Sequence, residues 1–174
     1  YNPTGSAINL AGWILATVDL TPNITLTGTI PAGGYYLIEC TDDLTISDIV
    51  ADQIIPTTCA TNLNNTGEII TLTDNLSNVI DTANISGSTW DGGTAGTGPV
   101  TYASMERIIP IVADSAAAWT TNNGATRNGL AANGTTPVNG TPHTSKVDLS
   151  LTVTVNNPIR NIGDVVTFTV IVSN

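Results

Sequence analysis

A chain of 174 residues can bury one core with a remainder for part of a second, and its charge is one-sided: 14 acidic residues against 4 basic ones give a formal net charge of -10. So few basic groups cannot neutralise a phosphate backbone, and the acidic excess repels anionic lipid, so binding to nucleic acid or to a charged membrane surface is not expected. The longest near-apolar run, residues 165 to 172, is interrupted by Thr167 and Thr169 and falls far short of the roughly 20 residues of a membrane helix, so no membrane span is expected.

Abundant Asn, Thr and Gly with scarce Lys and Arg suit a secreted, extracellular or cell-surface protein. No initiator Met and no charged or apolar leader opens the sequence, so an export signal is expected to have been removed or to lie outside this segment.

In chain order, the first clear pattern is "ITLTGTI", which sets Ile24, Leu26, Gly28 and Ile30 on one face and Thr25, Thr27 and Thr29 on the other. "IPAGGYY" has tight-turn chemistry, Pro31 fixing φ and the glycines permitting positive φ. The strand-like "GGYYLIEC" ends on Cys40, and Cys59 follows in "IPTTCATNL". A bridge between them closes a loop of about 20 residues, worth on the order of 3 kcal/mol; two buried thiols are the alternative. "EIITLTD" and "NVIDTA" are further short β-branched runs bounded by turn residues.

Helix signals are confined to "DSAAAW", where Asp114 or Ser115 could cap a turn. The stretches 90–99 and 122–144 are rich in Gly and Asn, lack periodicity and read as loops, the second wrapping the domain and leading out of it. Periodicity returns in "VDLSLTVTV", with Val147, Leu149, Leu151, Val153 and Val155 on one face. "VVTFTVIV", carrying Val166, Phe168, Val170 and Val172, is apolar or Thr throughout and reads as a strand covered on both sides. The expectation is an all-β chain with short strands packed as a sandwich.

Little in the sequence points to catalysis, metal or cofactor. The single His143 lies near Ser145 and Asp148, but a relay is normally assembled from distant segments, so His143 is expected to face water. Asp42, Asp43, Asp48 and Asp52 crowd one loop at a spacing that fits no calcium-binding repeat, and are expected to be solvated. The only lysine, Lys146, sits at a domain junction, poorly placed for a buried Lys-Asn crosslink. Trp13, Trp90 and Trp119 are expected in or beside the core; exposed together they would form a carbohydrate platform. Sequons begin at Asn23, Asn64, Asn75, Asn84, Asn133 and Asn139, acceptors in a glycosylating secretory pathway.

The segments "YNPTGSAINLAGWIL", "IPAGGYYLIE", "LNNTGEIITLTD", "VIDTA" with Trp90 after it, "SMER", Trp119 and the closing "GTP" at 140–142 occur in an order that resembles the lamin tail domain of prokaryotic extracellular proteins. The resemblance covers residues 1–145 and implies an immunoglobulin-like β-sandwich. It departs from the family at the start, where a strand normally precedes Tyr-Asn-Pro, so the first strand is expected to be missing. It also makes Glu106–Arg107 a local ion pair of that fold. Residues 146–174 resemble the opening strands of the conserved-repeat immunoglobulin-like domain strung in tandem along bacterial and archaeal surface proteins.

Two accounts of residues 146–174 stand side by side. They begin the next bead of a longer tandem protein, or they leave their own subunit and add as strands to a neighbour's open sheet edge, which would generate a filament. Both make the chain a non-catalytic structural protein of an extracellular surface or filament, with self-association through strand addition in the second. The alternative is an adhesion or carbohydrate-binding module of a larger secreted protein.

Overall fold

The computed structural model describes residues 1–56, 63–96, 102–144, 150–155 and 165–173. The chain divides into two compact units, Tyr1–Thr144 and Ser145–Asn174. Strands dominate, and among the described residues there is no α-helix, only one 3-10 turn at Ala116–Ala118.

In the first unit, β1 (Ile8–Asn9), β2 (Ile14–Thr17), β3 (Asn23–Thr25) and β4 (Thr29–Ile30) come from one ribbon folded back on itself. β1 pairs antiparallel with β4 and β2 with β3. Between them the ladder continues through Leu10 N to Gly28 O at 2.9 Å and Leu26 N to Trp13 O at 2.7 Å. Gly28, at φ +73, breaks "ITLTGTI" into two strands, yet the alternation holds. Ile24, Leu26 and Ile30 are buried, and Thr25, Thr27 and Thr29 are exposed. β7 (Ile70–Thr73) and β8 (Val79–Ala83) extend β2 into a four-stranded antiparallel sheet of order β3-β2-β7-β8.

The opposing layer is supplied by β5 (Ile38–Cys40) and β6 (Gln53–Ile55), a parallel pair. Leu10, Ile24, Leu26 and Ile30 form the buried cluster between the layers, and Tyr36, Ile38, Cys40 and Ile55 pack on it from the β5–β6 side. The unit is therefore an all-β sandwich. β9 (Met105–Arg107) and β10 (Trp119–Thr121) make a further antiparallel pair.

The apolar core is small, and buried polar side chains do much of the holding. Asn2 is 1% exposed; its amide donates to Ser6 O, Ile30 O and Pro31 O, and its oxygen accepts from Thr4. Glu39, buried on β5, accepts from the backbone N–H of Thr45 and Ile46 and so shapes the following loop. Asn122 donates to Glu106 and to Thr126 O. A primary amide satisfies several backbone groups at once, so buried asparagines can order loops that have few apolar side chains.

The second unit contains β11 (Ser150–Val155) and β12 (Phe168–Ser173), which pair antiparallel from Ser150↔Ser173 to Val155↔Phe168. They form a two-strand hairpin that follows the sandwich in the chain.

Candidate assembly surface

The hairpin is apolar on the outside. Val153 is 55% exposed, Phe168 65%, Val170 57% and Ile171 52%. Phe168 and Val170 alternate onto one face of β12 and Ile171 onto the other, so both faces present hydrocarbon. The sequence pattern called for one buried face on β11 and cover on both sides of β12; a two-stranded ribbon has no second layer to provide either. Val155 and Val166 are also exposed. Val147 and Leu149 lie outside the described residues, and the side chains of Leu151 and Val172 are not among those described.

In the sandwich, the outer edges of the four-stranded sheet carry side chains where another strand would bind. Thr25 and Thr27 turn their backbone groups away from β2. There the Gln53 carboxamide donates to Thr25 O at 2.9 Å and accepts from Thr27 N at 3.0 Å, as a peptide unit of a neighbouring strand would. The Tyr36 hydroxyl donates to Thr27 O at 2.7 Å and lies 2.9 Å from the Gln53 oxygen. On the opposite edge, Arg107 Nη2 donates to Thr82 O at 2.9 Å and Ile85 N donates to Asp114 Oδ2 at 2.8 Å. Exposed edge strands are templates for pairing, and occupying their N–H and C=O groups blunts them. The start of β8 differs, with Val79 64% and Ile80 48% exposed.

Arg107 and Asp114 also tie β9–β10 to β8. The guanidinium meets Asp81 at 2.6 Å and lies over the Trp119 ring, 4.8 Å from its centroid. Asp114, with its side chain 3% exposed, accepts from Trp119 Nε1 at 2.6 Å and Thr82 Oγ1 at 2.9 Å, with Arg107 Nη2 3.8 Å away. Burial pushes its carboxyl up, but the hydrogen bonds from Trp119, Thr82 and Ile85 and the Arg107 charge outweigh burial and hold it below the usual carboxylate range. The expected Glu106–Arg107 pair is not formed. Adjacent strand residues point to opposite faces, and Glu106 accepts instead from Ser104, Asn122 and Thr141.

Other singled-out residues have structural partners. Asp42, Asp43 and Asp48 accept from the backbone N–H of Leu44, Ala51 and Leu130, so these carboxylates cap turns and pin the 122–144 loop to the sandwich. Asp52 accepts from Leu37 N and lies 3.0 Å from His143 Nε2, so His143 is paired across the fold and does not simply face water. Ser145, Lys146 and Asp148 lie outside the described residues. Among the described residues no group of three or more His, Cys, Asp and Glu is arranged to hold a metal. No described helix is long and apolar enough to cross a membrane.

Trp13 packs on the core, Trp90 donates its indole N–H to Asn64 O, and Trp119 stacks against Arg107 and donates its indole N–H to Asp114. Cys40 is half-buried, no free cysteine occurs among the described residues, and Cys59 lies outside them. Of the sequon asparagines, Asn23, Asn64, Asn75 and Asn133 are exposed and Asn139 is half-buried, its amide donating to Tyr102 O. Asn84 is fully buried and donates to two backbone carbonyls, which leaves no access for a glycan in the folded chain. A cavity of about 510 Å³ is lined by Ile46, Tyr102, Met105, Val138 and Pro142 among others.

Comparison with protein-family models, curated proteins and solved structures returned no match.

Proposed function

We propose that the chain is a non-catalytic structural protein of an extracellular surface or filament, whose subunits join head to tail when the β11–β12 hairpin of one adds to the sandwich of the next. The observation that carries this is the hairpin's hydrocarbon on both faces, with Phe168, Val170 and Ile171 each more than half exposed. An isolated two-stranded hairpin is marginally stable in water and gains stability from a further strand or a second layer. Joining copies in this heterologous way does not close on itself, so it propagates.

The incoming strand is placed where side chains do not occupy the acceptor edge, and Val79 and Ile80 at the start of β8 offer apolar positions there. The resemblance of residues 1–145 to lamin tail domains and of 146–174 to tandem surface repeats supports an extracellular role. A Cys40–Cys59 bridge belongs to the same proposal.

The test replaces Phe168 and Val170 with Asp in the full chain and follows sedimentation velocity over a concentration series. Wild type is expected to form a ladder of oligomers and the double variant to stay monomeric. A wild type that remains monomeric throughout would refute the proposal.

A further inference from the structure

A second exposed apolar surface lies on the sandwich itself, in the loop between β9 and the 3-10 turn at Ala116–Ala118. Ile108, Ile109, Ile111 and Val112 are all exposed there, Ile111 by 73%. Val112 N donates to Ile109 O at 3.2 Å, so the segment is a compact turn. Both of its ends are tied to the outer edge of β8. Arg107 meets Asp81 and Thr82 O at one end, and Asp114 accepts from Thr82 Oγ1 and Ile85 N at the other. Ile85, at the second anchor, and Ile80, next in sequence to the first, are exposed as well.

Scattered exposed aliphatics need no explanation, but four within five consecutive residues do. The division of charge says what can cover them. In residues 145–174, Asp148 and Asp164 cancel Lys146 and Arg160, so residues 1–144 carry the whole formal charge of -10. Two sandwiches brought together therefore repel one another. The strands β11 and β12, "SLTVTV" and "FTVIVS", hold no charged residue. Of the surfaces that another copy can offer, the hairpin approaches the acidic sandwich without that repulsion, and its Phe168, Val170 and Ile171 are exposed hydrocarbon.

We propose that the turn at residues 108–112, with Ile85 beside it, is the surface of the sandwich that receives the β11–β12 hairpin of the next copy. This rests on the reading of the chain as a head-to-tail assembly and names the acceptor within it. Donor and acceptor lie on different compact units, so a copy whose turn is filled still offers its own hairpin, and growth continues. Hydrocarbon meets hydrocarbon with no charged pair between them, so the contact persists in high salt.

Two double variants of the full chain separate acceptor from donor in sedimentation velocity. Ile109→Asp with Ile111→Asp damages the turn, and Phe168→Asp with Val170→Asp damages the hairpin; all four positions are half exposed or more, so the fold is expected to survive. Each variant alone is expected to be monomeric, and an equimolar mixture is expected to form dimers and nothing longer, because one intact hairpin meets one intact turn. Turn variants that assemble as wild type does overturn the acceptor while leaving head-to-tail assembly standing. Wild type that stays monomeric overturns both. Wild-type oligomers are expected to be the same in about 0.1 M and about 1 M NaCl; oligomers that form only in high salt mean that sandwich meets sandwich, and overturn the proposal. Hydroxyl-radical footprinting of assembled against dilute wild type needs no substitution, so misfolding of a variant does not shield the claim. It is expected to protect residues 108–112 together with β12, and a turn that stays equally reactive overturns the proposal.

Discussion

Replacing Asp114 with Asn tests the clamp between β8 and β9–β10 with almost no change in shape. Asp114 accepts from Trp119 Nε1 at 2.6 Å on one oxygen and from Thr82 Oγ1 and Ile85 N on the other. An amide has one oxygen. If it faces Thr82 and Ile85, its NH₂ meets the Trp119 indole N–H donor to donor, and the attraction to Arg107 Nη2 at 3.8 Å is lost.

Hydrogen bonds to charged groups contribute about 1.5–3 kcal/mol, and leaving a buried donor unmatched adds to that, so a loss of about 3 kcal/mol is expected at pH 7. The pH dependence gives an independent check. The folded carboxyl is held below its ordinary value, so its contribution is present above the unfolded pKa of about 3.9 and is lost as pH falls through the folded pKa. The wild type then converges on the variant.

Urea unfolding followed by tryptophan fluorescence at neutral and acidic pH, with m unchanged, reads both quantities. A gap below about 0.5 kcal/mol at pH 7 would refute the reasoning, since surface substitutions already fall in that range. A gap of constant size from pH 7 down to the acid limit of folding would refute it as well.

Two other substitutions probe how polar groups hold the thin core. Asn2→Ala leaves the carbonyls of Ser6, Ile30 and Pro31 without their shared donor and is expected to cost about 2–4 kcal/mol by thermal or urea unfolding; an unchanged Tm would show that water replaces the amide. Gly67→Ala puts a Cβ 1.7 Å from Ser88 O at φ +113 and is expected to destabilise by more than about 3 kcal/mol. A mild effect would mean that residues 84–91 move aside readily.

The class of fold was legible because alternation is local. "ITLTGTI" placed Ile24, Leu26 and Ile30 inside and the threonines outside, although the break at Gly28 was not foreseen. Side-chain partners were less legible, since they join residues far apart in sequence. Gln53 reaches Thr25 and Thr27, His143 reaches Asp52, and Arg107 reaches Asp81. "DSAAAW" shows the same limit. Its turn forms as 3-10, but Ser115 makes no side-chain cap and Asp114 turns to Thr82, Ile85 and Trp119. The abundance of Asn was read as a surface property, and nothing in the order of residues distinguished buried Asn2, Asn84 and Asn122 from the many exposed ones.

The central claim is that the β11–β12 hairpin joins one copy to the next. Negative-stain electron microscopy of the full chain beside residues 1–144 alone tests it most directly, since the shorter chain keeps the whole first compact unit. The account predicts filaments from the full chain and isolated particles from the truncation. Isolated particles from both, or filaments from both, would contradict it.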